Sequence, residues 1–197
     1  MIRHLTLFCK VFSSKKSSLE LYAQDAACPA ERSLACPACG SRGNCVPHGG
    51  YKRSLIDMEH GKVTYGNVEI KRVRCKNCGH THALLPDYIV PYTTYSLLFI
   101  LRVLCAHFLG KETVEQLCRH YEISPSMLYE WKALFQEHKK LWLGVLKDAE
   151  RNSARFIRQL LNLPNYSLDF SRPFYQRTAF SFLQRHKNAA YFRHAVF

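Results

Sequence analysis

The chain has 197 residues, with 28 Lys and Arg against 15 Asp and Glu, for a formal net charge of +13. That length accommodates one ordinary domain or two small ones. The charge points to an anionic partner, most simply nucleic acid, although a ribosome or an anionic membrane surface gives the same balance. Nine cysteines, an odd number, fit a reducing compartment. Residues 1–10 hold an apolar patch (Leu5, Leu7, Phe8) too short for a signal-peptide core or a membrane span. The expectation is a cytoplasmic protein without a membrane partner.

Residues 1–33 read as an N-terminal arm, with a Ser/Lys run at 13–18 and a short helix around 19–27. Two cysteine pairs follow and organise the chain. Cys36-Pro37-Ala38-Cys39-Gly40 and Cys75-Lys76-Asn77-Cys78-Gly79 are each C-x-x-C-G. Two intervening residues let both sulfurs face one ion, and the glycine lets the turn close beneath it. Four thiolates from two such knuckles make a closed, tetrahedral, structural site for Zn²⁺. Cys36, Cys39, Cys75 and Cys78 are therefore the expected metal ligands. A redox dithiol uses the same spacing, but the βαβ context it requires is missing. Cys9, Cys28, Cys45, Cys105 and Cys118 form no second framework. His80 and His82 invite a ligand reading, yet four cysteines already complete the tetrahedron, which leaves the histidines supporting roles.

Between the knuckles, apolar positions alternate over 51–58 and again over 63–73, with Glu59-His60-Gly61-Lys62 as a turn and Gly66-Asn67 as a break. This is a β-ribbon with a knuckle at each chain end, over residues 34–91. Lys52, Arg53, Lys71, Arg72 and Arg74 read as one basic outer face that contacts phosphates, or else as a solvated strand face. Pro86 and Pro91 make the segment after the second knuckle an extended linker.

Residues 92–147 are helical. A wide apolar stripe runs through 93–109 and ends at Gly110. Thr113-Val114-Glu115-Gln116 has the capping-box form and starts a short helix through His120. Tyr121-Glu122-Ile123 is a turn, and Ser124-Pro125 opens a second helix to about residue 139. Val114, Leu117, Cys118, Ile123, Leu128 and Trp131 pack inward. This is the pattern of a helix-turn-helix, shared by helical hairpins that bind no DNA. Ser126, Tyr129 and Lys132 lie on its outer face, where a recognition helix meets bases. Residues 148–197 form a basic extension that continues helically to a break at Leu163-Pro164-Asn165, with eight Lys and Arg and one acid from Arg151 onward. Its aromatic residues read mainly as core. The fold class is α+β, a zinc-ribbon hairpin followed by an all-α helix-turn-helix domain. Asp57, Asp87, Glu150 and Asp169 could be strung together as a metal-binding carboxylate set. Ribbon and helices, however, occupy most of residues 34–147 and leave about fifty residues, below the usual domain size, so the protein reads as no enzyme.

Cys36-Pro37-x-Cys39-Gly40, His48-Gly49-x-Tyr51-x-Arg53, Arg72-Val73-Arg74-Cys75-x-x-Cys78-Gly79-x-Thr81-His82 and Leu84-Leu85-Pro86-Asp87 together resemble an uncharacterised bacterial domain family related to the N-terminal regions of insertion-sequence transposases. The resemblance implies zinc on the four cysteines and a recognition role for the helix from Pro125. It also implies binding to double-stranded DNA, beside a transposase or as a homodimer, as an accessory protein or transcriptional regulator. Two other classes remain open: an RNA- or ribosome-associated zinc-ribbon protein, and a rubredoxin-like iron electron carrier.

Overall fold

The longest strands belong to one hairpin. In the computed structural model, which describes residues 3–7, 16–24, 34–143 and 153–185, β2 (Cys45–Glu59) turns through His60-Gly61 into β3 (Lys62–Cys75). Both turn residues have positive φ, 49° and 77°, and Glu59 pairs with Lys62. This is the two-residue loop whose twist matches that of the flanking strands. The hairpin is irregular at one point, between Pro47 and Gly50, where the register shifts.

The linker expected after the second knuckle is a strand. β4 (Thr81–Pro86) pairs antiparallel with β3, and β1 (Arg3–Leu7) adds to β4 in parallel, giving the order β1-β4-β3-β2. Pro86 sits at the very end of β4, where a missing N–H does little harm. The fold is mixed α/β: this sheet packs with α1 (Ser18–Gln24), α2 (Leu97–Leu109), α3 (Val114–His120), α4 (Pro125–Leu143), α5 (Ser153–Leu161), a π-helical turn at Ser167–Ser171 and α6 (Arg172–Thr178). No helix among the described residues is long and apolar enough to cross a membrane.

α2 is the hinge of the packing. Ser96 caps its start by accepting from the Phe99 amide, and Gly110 closes its end at φ 64°. Residues 97–101 are buried on every side, as a helix with sheet on one flank and helices on the other must be. Leu98 joins Leu55, Val68, Ile70, Ala83 and Leu85 of the sheet, Leu21 of α1, and Tyr88 and Ile89 in one core. Phe99, Leu101 and Leu104 face Leu117, Leu128, Trp131, Phe135 and the α5–α6 aromatics in another, against which Ile56, Met58 and Val63 of the hairpin also pack. Hairpin and helices thus share packing across residue 91. Phe170, Phe174 and Phe182 are buried, which makes those extension aromatics core; Tyr191 and Phe192 lie outside the described residues.

Gly66-Asn67 does not break β3. A Cβ on Gly66 would meet Leu19 of α1 at 2.7 Å, so the glycine admits the helix to the sheet face. Asp57, fully buried, ties the same region together. Its carboxylate accepts from the Ser18 amide, from Ser96 Oγ at 2.9 Å and from the Met58 amide at 2.8 Å, with Arg102 Nη1 at 3.9 Å. One side chain therefore fastens the start of α1, the cap of α2 and the strand that bears it. Removing a buried charge that holds several partners costs about 3–5 kcal/mol. Asp57→Ala should lower unfolding stability by that amount in urea titration, and a loss under about 1 kcal/mol would contradict the tethering role.

Candidate metal centre

The two knuckles fold identically. Gly40 N donates to Cys36 O at 2.8 Å and Gly79 N to Cys75 O at 2.9 Å; Cys36 N donates to Ser41 O and Cys75 N to His80 O, both at 2.9 Å. Each glycine has φ +73°, a conformation that is costly for a residue with a Cβ. These turns aim the four sulfurs at one point. The Sγ atoms of Cys36, Cys39, Cys75 and Cys78 lie within 4.8 Å of one another. Cys36 and Cys78 are 3.6 Å apart and Cys39 and Cys75 3.8 Å. Metal–sulfur bonds of about 2.3 Å in a tetrahedron require edges of about 3.8 Å, so the donor set fits such an ion. Disulfides are excluded, because S–S bonds are about 2.05 Å long, and the four cysteines are free.

Electrostatics point the same way. The Ser41 amide, then Asn77 Nδ2, lowers the Cys39 pKa to about 6. At Cys78 the His80 amide pulls downward, but desolvation and the three neighbouring sulfurs outweigh it and carry the thiol up to about 12. Four such groups cannot all ionise side by side without a cation. Cys45 stands apart. It is opposite Cys75 in the hairpin, and burial, then the charges of Cys75, Cys36 and Cys39, push its thiol up, which suits a protonated neighbour rather than a ligand.

The histidines differ. His80 is exposed, with Nδ1 3.2 Å from Cys78 O. His82 is buried, with Nε2 3.3 Å from Cys36 Sγ. Spacing alone could not separate them: His82 lies within β4, paired with Val73, whereas His80 precedes the strand.

The basic outer face expected on the hairpin divides in two. Neighbouring strand residues point to opposite sides and cross-strand partners share a side. Lys52 is opposite Glu69 and Lys71 opposite Gly50, on the side of Cys75; Arg53 is opposite Val68, on the other side with Arg72 and Arg74. Arg53 is turned inward and donates to the Val90 and Thr93 carbonyls, clamping the hairpin to the segment before α2. Arg72 is half-buried. Lys52, Lys71 and Arg74 are exposed, with Arg74 Nε 3.3 Å from Gly79 O.

α3 carries its reciprocal capping box at Thr113 and Gln116, and Ser124 Oγ accepts from the Met127 amide at the start of α4. The turn between them places Glu122 at φ 52°. Leu117, Cys118, Ile123, Leu128 and Trp131 are buried, whereas Ser126 and Tyr129 are exposed and Lys132 is half-buried. A contact the sequence did not suggest joins the two halves: Tyr65 of the hairpin donates to Glu122 at 2.6 Å. Arg155, Phe156, Arg158 and Phe170 of the extension line an open groove together with Trp142 of α4. Asp57 and Asp87 are buried on serine hydroxyls, Asp169 is exposed, and Glu150 lies outside the described residues.

Residues 36–124 match a protein family described as a domain of unknown function (DUF6431). The match begins at the first knuckle and ends at the turn before α4. Neither the curated proteins nor the solved structures contain a match to the chain.

Metal analysis should give one ion per chain, and Cys36→Ser or Cys78→Ser should abolish it and unfold the knuckles, since binding and folding are linked in such sites. Ligand thiols must shed protons to bind a metal, so affinity should fall on acidification as protons return to the sulfurs. The Cys39 thiolate should hold out lowest, because the Ser41 amide and Asn77 stabilise it. Loading that is independent of pH would contradict a thiolate site.

Proposed function

We propose that the chain is a zinc-dependent DNA-binding protein in which a zinc ribbon supports a helix-turn-helix. It would act as a transcriptional regulator or transposition accessory factor with no catalytic domain of its own. The observation that carries this reading is the α3–turn–α4 unit: a capped short helix, a turn with a left-handed residue, and a second helix whose first turns expose Ser126 and Tyr129. In a chain of net charge +13, that exposed helix start is suited to a major groove. Zinc fits the all-sulfur donor set and a closed site. Iron would take the same four thiolates, and it would show as a red protein rather than a colourless one.

The DNA contacts follow from exposure. Lys52, Lys71 and Arg74 are available to phosphates, Arg53 is occupied in the hairpin–helix junction, and Arg72 is half-withdrawn. A partner that is double-stranded DNA, bound by a homodimer or beside a transposase, would meet Ser126, Tyr129 and Lys132 at base edges.

Selection from random DNA followed by titration tests this. Arg74→Ala should weaken binding to all sequences and reduce the salt slope by roughly one. Tyr129→Ala or Lys132→Ala should cost about 1–3 kcal/mol on the selected site and relax its preference. Arg53→Ala should instead lower folding stability. Equal or tighter binding to structured RNA would favour an RNA-binding role. Unchanged affinity and preference in both α4 variants would reduce the helix pair to a core hairpin.

A separate incubation addresses catalysis. Supercoiled DNA with Mg²⁺ or Mn²⁺ should remain intact, and nicking lost in Asp169→Ala would overturn the absence of a nuclease.

A further inference from the structure

Resting on the reading of the four-cysteine cluster as a metal site, we propose that His82 is its positioning residue, donating its Nε2–H to the Cys36 thiolate. The sheet puts it there. His82 pairs with Val73 in the β3–β4 ladder, and Val73 lies two residues before Cys75, so His82 and Cys75 share one face. Its Nε2 comes within 3.3 Å of Cys36 Sγ, while the mutually close ligand atoms remain the four sulfurs. His82 therefore stands outside the tetrahedron, against a single vertex.

That vertex is cut off from solvent, unlike Cys39, and needs a donor from the protein. Cys36 is 2% exposed and His82 is 1% exposed, so water supplies little to the sulfur, whereas Cys39 is open to solvent. Four thiolates around a divalent ion leave two excess negative charges. In a dry setting these are stabilised by N–H groups aimed at the sulfurs. Cys36 receives two, from the Ala38 amide at 3.4 Å and from His82. The imidazole thus carries its proton on Nε2 and acts on the metal through Cys36, fixing the sulfur's direction and making it a less reactive ligand.

The test uses the full chain loaded with Co²⁺, read by its sulfur-to-cobalt charge-transfer band and by the rate of release to excess EDTA. His82→Phe should keep a four-thiolate spectrum with a displaced band and release cobalt on the order of 10-fold faster. His80→Ala should match the unsubstituted chain. His82→Gln, which returns an N–H near the Nε2 position, should restore the slow rate, and His82→Asn, which cannot reach, should not. If His82→Phe fails to load, the Gln and Asn pair decides: equal release rates in both overturn the proposal. It is also overturned if His82→Phe leaves band and rate unchanged, or if the unsubstituted spectrum shows three thiolates and one nitrogen. A native chain that takes up neither cobalt, zinc nor iron refutes the metal site itself.

Discussion

Four sulfurs held within 4.8 Å of one another are a constraint that protein alone does not resolve. Their thiolates repel one another, their thiols make weak hydrogen bonds, and the apolar group around them is small: Cys45, Val73 and Leu84, with Leu5, Leu34 and Ala38 at its edge. The knuckle loops are consequently held by backbone bonds and by whatever neutralises the sulfurs. This end of the sheet differs in kind from the other, where large aliphatic and aromatic side chains supply the cohesion. Cohesion is divided along one hairpin, with a four-sulfur cluster able to hold a metal at one end and hydrophobic burial at the other.

The hairpin couples these regimes because it is one continuous pair of strands and because polar groups lock it to the helices. Asp57 and Arg53 lie on the same side of β2, separated by Leu55. One gathers the caps of two helices, and the other grips the carbonyls of the segment leading into α2. Tyr65 reaches the α3–α4 turn from the opposite side. Orientation of the helix pair relative to the sheet is thereby fixed at three polar points as well as by packing.

Much of this was legible in the residues. The C-x-x-C-G repeats announce themselves because the metal geometry demands that spacing, and His60-Gly61 and Thr113 to Gln116 are local signals whose physics is complete within four residues. What was not legible depended on partners distant in sequence. Residues 81–86 look like a linker until β3 and β1 flank them. Gly66 looks like a break until Leu19 lies against it. Lys52 and Arg53 look like one patch only if the two-residue period of a strand is overlooked, and the inward course of Arg53 follows from carbonyls at Val90 and Thr93 that no local pattern reveals. His82 and His80 are chemically alike, and only the ladder with β3 separates the buried one from the exposed one.

The parallel pairing of β1 with β4 has a consequence for synthesis. β1 is translated long before β4, its partner among the described residues, and the hairpin and both knuckles must emerge in between. The first knuckle likewise waits for the second before its pair of sulfurs becomes a set of four. A nascent chain therefore presents an unpaired strand and an incomplete thiol pair together, the kinds of exposed edge and reactive group that favour misassociation. Completion of residues 75–86 ends both conditions at once, so the arrival of this short stretch is the point at which the ribosome-bound chain can close its sheet and its sulfur cluster.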